Sequence, residues 1–228
     1  MRFIAECGLN HNGNHDLLYE MIKQAKWSGA TDVKFQLGWR DGIDEINAIS
    51  KETIKQLIEF SHYCEVNPLF SLIRPDTYEL IKDFNLKEFK IASRTVKEYP
   101  DFIKQLLDDG NSLIISLGMW DREELPFGEG PNISYLWCKS LYPTLPNKLQ
   151  GFPKDFENSF YSGFSDHTLG IETAILSISR GAEIIEKHFT LDKSDTTIRD
   201  HVLSATPDEF RIMTRLGNEI HKLLKLKV

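Results

Sequence analysis

The sequence predicts a (β/α)8 barrel, and three observations carry that expectation. Short apolar runs alternate with amphipathic stretches along the 228 residues, the order expected of parallel strands joined by crossover helices. Eight strand candidates occur, at about 28 residues per repeat, which is short but sufficient for a closed barrel. The competing doubly wound sheet usually uses fewer strands and a glycine-rich phosphate turn, and the sequence holds neither a GxGxxG nor a Walker-type loop.

Residues 3–6 form the first apolar run. A helix is predicted over 14–29, where Leu17, Leu18, Met21, Ile22 and Ala25 recur at helical spacing and Gly29 stops it. Residues 31–36 read as a strand. Residues 51–65 read as a helix with Ile54, Leu57, Ile58 and Tyr63 on one face. The alternation continues through a strand at 69–72, a helix after Pro75, a strand at 88–92, a helix around 102–107 and a strand at 112–116. Strands at 134–138, 161–165 and 182–188 complete the set, each followed by a helix or a loop. Helices over 169–180 and 207–226 are the last two. No low-complexity segment or linker interrupts the pattern, so residues 1–228 read as one barrel domain.

Composition narrows the function. With 27 Lys+Arg against 34 Asp+Glu the net charge is −7, spread without a basic block, which argues against nucleic-acid binding. Fourteen Phe, seven Tyr and four Trp give the chain enough to bury, which argues against disorder. No apolar stretch approaches the roughly 18–20 residues of a membrane helix, and the first residues, meeting Glu6 after two apolar side chains, do not read as a signal peptide. Cys7, Cys64 and Cys138 form no CxxC pair and are odd in number, so a reducing cytoplasm is the expected location.

Strands of a parallel barrel should be nearly continuous apolar runs, so polar exceptions are informative. Here they gather at the C-terminal strand ends, where barrel enzymes build active sites. Glu6 ends the first strand, Lys34 and Gln36 the second, Lys90 and Ser93 the fourth, and Ser116 the fifth. Ser140 follows the sixth, Ser165 and His167 end the seventh, and Glu186 and His188 the eighth. Strand alternation puts Lys34 with Gln36, Ser165 with His167, and Glu186 with His188 on shared faces. Two lysines among several hydroxyls suit a compact anion such as a phosphate or carboxylate. The two histidines could share Mn²⁺, Fe²⁺, Co²⁺ or Zn²⁺, or serve as hydrogen-bonded structural groups. Glu186 is expected to offset the charge of Lys34 or Lys90, and Cys7 and Cys138 to fill core.

Several segments in order along the chain carry a family resemblance. IAECGLNHNG at 4–13, GATDVKFQ at 29–36, KIAS at 90–93, SLGM at 116–119, CKSLYPT at 138–144, GFSDHTLG at 163–170 and IEKHFTLD at 185–192 are similar to the strands and loops of the sialic-acid synthase family, the N-acetylneuraminate synthase type. Asp200-His201, with Ser204 and Pro207, continues the pattern. The resemblance implies a transferase of carbohydrate biosynthesis that condenses phosphoenolpyruvate with the open-chain aldehyde of a sugar, N-acetylmannosamine-like or another aldose. The product would be a 2-keto-3-deoxy sugar acid, a sialic-acid-like nonulosonate, released with phosphate. By matching position, His167 and His188 would hold a divalent metal ion, commonly Mn²⁺. Lys34, Lys90, Ser93, Ser116 and Ser165 would clamp phosphoenolpyruvate. Glu6, Gln36, Tyr142 and Asp200 would address the sugar, Glu6 handling a hydroxyl or the attacking water. A homodimer is implied.

The match departs from the family in four ways. Thr95, after Arg94, stands where the family carries an acidic residue. Ser71-Leu72-Ile73-Arg74-Pro75 replaces a Ser-Thr-Pro type turn, and Ser140, a further substrate-binding candidate, stands at a family asparagine. The sequence ends at Val228, where family members usually continue into a C-terminal antifreeze-like domain, and the loop between Gln36 and Lys51 is short. These departures suggest an aldose with an anionic group met by Arg74 or Arg94, and a separate accessory-domain protein as a possible partner. They also keep open a lyase or aldolase on the same barrel, or a non-catalytic barrel that binds phosphoenolpyruvate or sugar.

Overall fold

The computed structural model describes residues 1–39, 46 and 48–226. Eight parallel strands close in sequence order into a barrel: β1 (Arg2–Glu6), β2 (Asp32–Leu37), β3 (Asn67–Leu72), β4 (Glu88–Ile91), β5 (Ser112–Ser116), β6 (Ile133–Cys138), β7 (Tyr161–Asp166) and β8 (Ile184–His188). Closure is made by β1 against β8, Ile4 opposite Glu186 and Glu6 opposite His188. The α-helices are α1 (Asp16–Trp27), α2 (Lys51–Tyr63), α3 (Ser93–Glu98), α4 (Pro100–Asp108), α5 (Glu172–Ser179) and α6 (Pro207–Leu224). Thr206 starts α6 with a reciprocal capping box to Glu209.

The structure departs from the predicted pattern after Pro75 and on one face of α2, and the helix-or-loop alternative after β6 falls to a loop. The segment after Pro75 forms short 3₁₀ turns, Pro75–Leu80 and Lys82–Phe84. No α-helix follows β5 or β6 among the described residues; Pro126, Gly128, Gly130 and Pro131 break the first segment, Pro143, Pro146, Gly151 and Pro153 the second. Tyr63, assigned by spacing to the buried face of α2, is 82% exposed. The buried face is Ile54, Leu57, Ile58 and Ser61, because position 61, three or four residues after 57 and 58, continues the stripe and 63 does not. The short-loop expectation between Gln36 and Lys51 falls largely on residues 40–45 and 47, outside those described.

Two cores result from the two-residue period. Outward-facing residues such as Phe3, Ala5, Phe35, Phe70, Ile91 and Ile185 pack against the helices. Inward-facing Ile4, Leu69, Ile114, Leu136 and Ile184 form a separate apolar disc across the barrel. Below the disc Arg2 pairs with Asp32 (2.6 Å) and Glu88. Above it the inward positions turn polar: Glu6 two residues after Ile4, Ser116 after Ile114, Cys138 after Leu136, Glu186 after Ile184. One register shift, between Tyr135 and Leu136, sets Gly163 opposite Leu136, and on its other side Gly163 pairs with Ile184. A Cβ there would stand 1.9 Å from the Ile184 carbonyl oxygen, so only glycine fits. Among the described residues no helix is long and apolar enough to cross a membrane.

Candidate active site

A cavity of about 270 Å³ opens at the C-terminal mouth of the barrel. Its walls bring together Glu6, Lys34, Gln36, Lys90, Ser93, Ser116, Ser140, Tyr142, Ser165, His167, Glu186 and His188. These come from β1, β2, β4 to β8 and the loops that follow them, as strand alternation required. Asp200 is the one sequence-derived candidate outside these walls; it lies behind His188, with 3.9 Å between Oδ2 and Nδ1. A larger hollow, about 640 Å³, lies at the opposite end of the barrel beside Arg180, Glu183 and His221. It gathers no buried charges, in contrast to the mouth.

The cavity floor is a chain of buried charges. Lys34 Nζ stands 2.9 Å from Glu6 Oε2 and 3.1 Å from Glu186 Oε2. Lys90 donates to Ser116 Oγ (2.7 Å) and to the Ile91 carbonyl (3.1 Å), with Glu186 at 3.8 Å. Ser165 donates to Glu186 Oε1 (2.7 Å), and Gln36 to Glu6 Oε1 (2.6 Å). Burial opposes the charge of Lys34, but Glu186 and Glu6 outweigh it and hold the ammonium above its ordinary value. Lys90 has only the more distant Glu186, and burial lowers it to about 8. The two carboxyls are driven apart: burial opposes ionisation of Glu186, yet Lys34 and Lys90 hold it well below the usual carboxylate range. Burial and the charge of Glu186 push Glu6 up, against the pull of Lys34. Glu186 is thus the anion and Glu6 the carboxyl that more readily keeps a proton.

Beside this floor stand the histidines, ring centroids 5.4 Å apart. The Lys139 carbonyl lies 2.8 Å from His167 Nδ1; a carbonyl can only accept, so Nδ1 carries the proton and Nε2 keeps its lone pair. The buried Nδ1 of His188 has no hydrogen-bond partner among the described residues. Burial lowers His167 to about 4 and His188 to about 3, so both are neutral near pH 7. Two neutral imidazoles with ring nitrogens unclaimed by protein donors fit a divalent cation by donor chemistry. Among the described residues no cluster of three or more His, Cys, Asp or Glu surrounds one such point. Tyr142 stacks 4.3 Å from His167, and the Arg199 guanidinium lies 4.8 Å from the Tyr142 ring.

Loops and off-phase positions supply what the sequence reading missed. Trp39 and Arg199 line the mouth, together with Arg94, which the sequence already offers for an anionic group and which lies 5.1 Å from the Trp39 ring. Arg74 does not line the mouth; its guanidinium meets Asp76 (Nε 3.0 Å). Cys138, expected to fill core, borders the cavity with Sγ 3.9 Å from Ser93, Ser140 and His167; its inward position after Leu136 was the available signal. Glu186 partners both lysines, as expected. Thr95 is fully buried and donates to the Ile73 carbonyl (3.0 Å), so it ties α3 to the end of β3. The carboxyl groups of the cavity walls are Glu6 and Glu186. Behind the histidines, Lys187 donates to Asp166 Oδ2 (3.2 Å) and the Thr168 carbonyl, fastening β8 to β7.

Comparison with known proteins agrees with this arrangement. The NeuB family model matches residues 39–228. An uncharacterised protein of Methanocaldococcus jannaschii is 33% identical over 97% of this chain and 71% of its own. The N,N'-diacetyllegionaminic acid synthase of Campylobacter jejuni is 28% identical over 97% of this chain and 76% of its own. Among solved structures, the N-acetylneuraminic acid synthetase of Leptospira borgpetersenii, in complex with citrate, superposes with a TM-score of 0.84 at 26% identity, covering 99% of this chain and 85% of that one.

Proposed function

The chain belongs to the NeuB family, and on that premise we propose that it condenses phosphoenolpyruvate with the open-chain aldehyde of an aldose, in a metal-dependent reaction that yields a 2-keto-3-deoxy sugar acid and phosphate. The observation that carries the reading is the buried floor of Lys34 and Lys90 among Ser93, Ser116 and Ser165, directly beside two neutral histidines. Lys34 is already paired with Glu6 and Glu186, but Lys90 has only Glu186 at 3.8 Å, so an anionic ligand beside Lys90 would balance a buried ammonium. Phosphoenolpyruvate supplies both a phosphate and a carboxylate for that role.

His167 and His188 would hold the divalent cation. When bound, it supplies Lewis-acid polarisation of the aldehyde oxygen. The residues themselves do the rest. Lys34, Lys90 and the serines fix phosphoenolpyruvate so that its methylene carbon meets the aldehyde carbon, a proximity worth roughly 7–11 kcal/mol of barrier. A carbon–carbon bond forms, the aldehyde oxygen takes a proton, and the former enol carbon becomes electron-poor. Water adds there, one proton passing to a base, and the carbon–oxygen bond to phosphate breaks as the new hydroxyl gives its proton to the departing phosphate, leaving the ketone. Glu6, held toward its protonated form and steadied by Gln36, is placed to give and take these protons. Gln36 and Tyr142 line the space left for the sugar, with Asp200 behind His188.

Mass spectrometry of the protein with Mn²⁺, phosphoenolpyruvate and an aldose panel including N-acetylmannosamine tests this. The expected result is an ion equal to one aldose plus a pyruvate unit, absent without metal. Phosphoenolpyruvate binding without any such product would instead favour a binding barrel. One observation favours a second reading: Lys90, lowered to about 8, is a candidate Schiff-base nucleophile of an aldolase. Borohydride with pyruvate would then leave a reduced adduct on the Lys90 peptide.

A further inference from the structure

The aromatic stack above the histidines ends in a positive charge. Arg199 rises from the loop after β8 and lies 4.8 Å from the Tyr142 ring centroid, and the same ring is 4.3 Å from the His167 ring. The guanidinium is therefore at most about 9 Å from the imidazole that flanks the proposed aldehyde position. Asp200 meets it at Nε, 3.4 Å away. Among the described residues no carboxylate or carbonyl pairs with its two terminal amino groups. The side chain is 62% exposed and borders the same cavity as Lys34 and Lys90. A stacked guanidinium with its fork open to a cavity is suited to bidentate recognition of an oxyanion.

We propose that Arg199 is a specificity residue that receives an anionic group, a phosphate ester or a carboxylate, at the end of the aldose remote from its aldehyde. The inference rests on the condensation reading, in which the aldehyde lies beside the histidines. Length supports it. An extended carbon chain advances about 1.3 Å per bond, from a bond length near 1.5 Å. Seven bonds separate the aldehyde carbon of an open-chain hexose from a phosphorus on its terminal oxygen, which spans about 9 Å. Charge supports it too. Lys34 already faces Glu6 and Glu186, and Lys90 sits deep beside Ser116, so an anion at the outer end of the sugar needs a cation of its own. Arg199 provides one on the histidine side of the mouth. Neutral hydroxyls would gain about half as much from the same fork.

The test is steady-state kinetics of the metal-loaded protein with phosphoenolpyruvate and a matched set: N-acetylmannosamine, its 6-phosphate, and a hexuronate. At least one charged sugar should exceed the neutral one in kcat/KM by about tenfold or more. The 6-phosphate and the hexuronate separate the two sources of the anion. Arg199→Gln should abolish that preference by raising KM for the charged sugar, with KM for phosphoenolpyruvate unchanged. Equal or better use of the neutral sugar overturns the proposal, as does an Arg199→Gln effect confined to phosphoenolpyruvate. Absence of product with every aldose removes the condensation reading. A thermal shift with each sugar alone then still decides this inference. A larger rise with a charged sugar, lost in Arg199→Gln, supports it, and equal shifts for all three overturn it.

Discussion

Replacing Lys90 by methionine should make the protein more stable and unable to hold its substrate. The ammonium is 1% exposed, with Ser116, the Ile91 carbonyl and a carboxylate at 3.8 Å for company. Its proton affinity falls from 10.5 to about 8, so keeping it charged at pH 7 costs about 3 kcal/mol relative to the unfolded chain. Methionine has similar length and no charge. The change removes that penalty but leaves Ser116 and the Ile91 carbonyl without a donor, at about 1 kcal/mol each. The net expectation is a gain of about 1 kcal/mol, or roughly 2–4 °C in Tm for a chain of this size. The pH dependence gives the sharper signature. A lysine with a depressed folded-state pKa binds fewer protons folded than unfolded between about pH 8 and 10.5, so the wild type gains stability as pH rises through that window. Methionine removes that gain, and above about pH 9 the variant becomes the less stable of the two. Urea unfolding followed by tryptophan fluorescence at pH 7 and at pH 10 measures both ends, and calorimetry measures the loss of phosphoenolpyruvate binding. A variant destabilised at pH 7, with a pH slope parallel to wild type, would refute the reasoning.

Lys187→Met should behave oppositely, losing about 3 kcal/mol, because it strands the buried Asp166; partial recovery in the Lys187→Met, Asp166→Asn double variant, followed by urea unfolding, checks the cause. Gly163→Ala should cost about 3 kcal/mol or more by forcing β7 away from β8, read as a lowered Tm with a soluble, still folded product or as loss of folded protein. His188→Ala should weaken Mn²⁺ binding in calorimetry or electron paramagnetic resonance, and full retention of the metal would remove this histidine from the ligand set. Glu6→Gln should leave metal binding in place and lower kcat by about 10² or more, an outcome checked by phosphate release.

The barrel and most of its mouth were legible because a strand has a period of two. Once Lys34 and His188 were assigned to strand ends, Gln36 and Glu186 followed, and the cavity walls agree. The same logic applied to Cys138 would have placed it in the cavity, since it shares phase with Leu136. Arg199 and Trp39 lie on loops, where no periodicity ties a side chain to a direction. Asp166 and Lys187 are out of phase with the site, and only the packing of β7 on β8 shows that they brace its histidines. Tyr63 shows the opposite error. Spacing groups it with Ile54, Leu57 and Ile58, although Ser61 holds the angular position that the helix buries. The meaning of Thr95 also required coordinates, since nothing in the sequence reveals that its hydroxyl turns toward Ile73.

The disc of Ile4, Leu69, Ile114, Leu136 and Ile184 makes the barrel a vessel closed at one end. Water, protons, substrates and products can exchange with the lysine floor only through the mouth. With phosphoenolpyruvate seated on that floor and a sugar above it, loading would be compulsory in that order, because a sugar already in place bars the way down. Release would reverse it, and a late-leaving phosphate would inhibit competitively against phosphoenolpyruvate alone. A stopper of five aliphatic side chains, remote from any reacting atom, would thereby dictate the kinetic order of the proposed condensation.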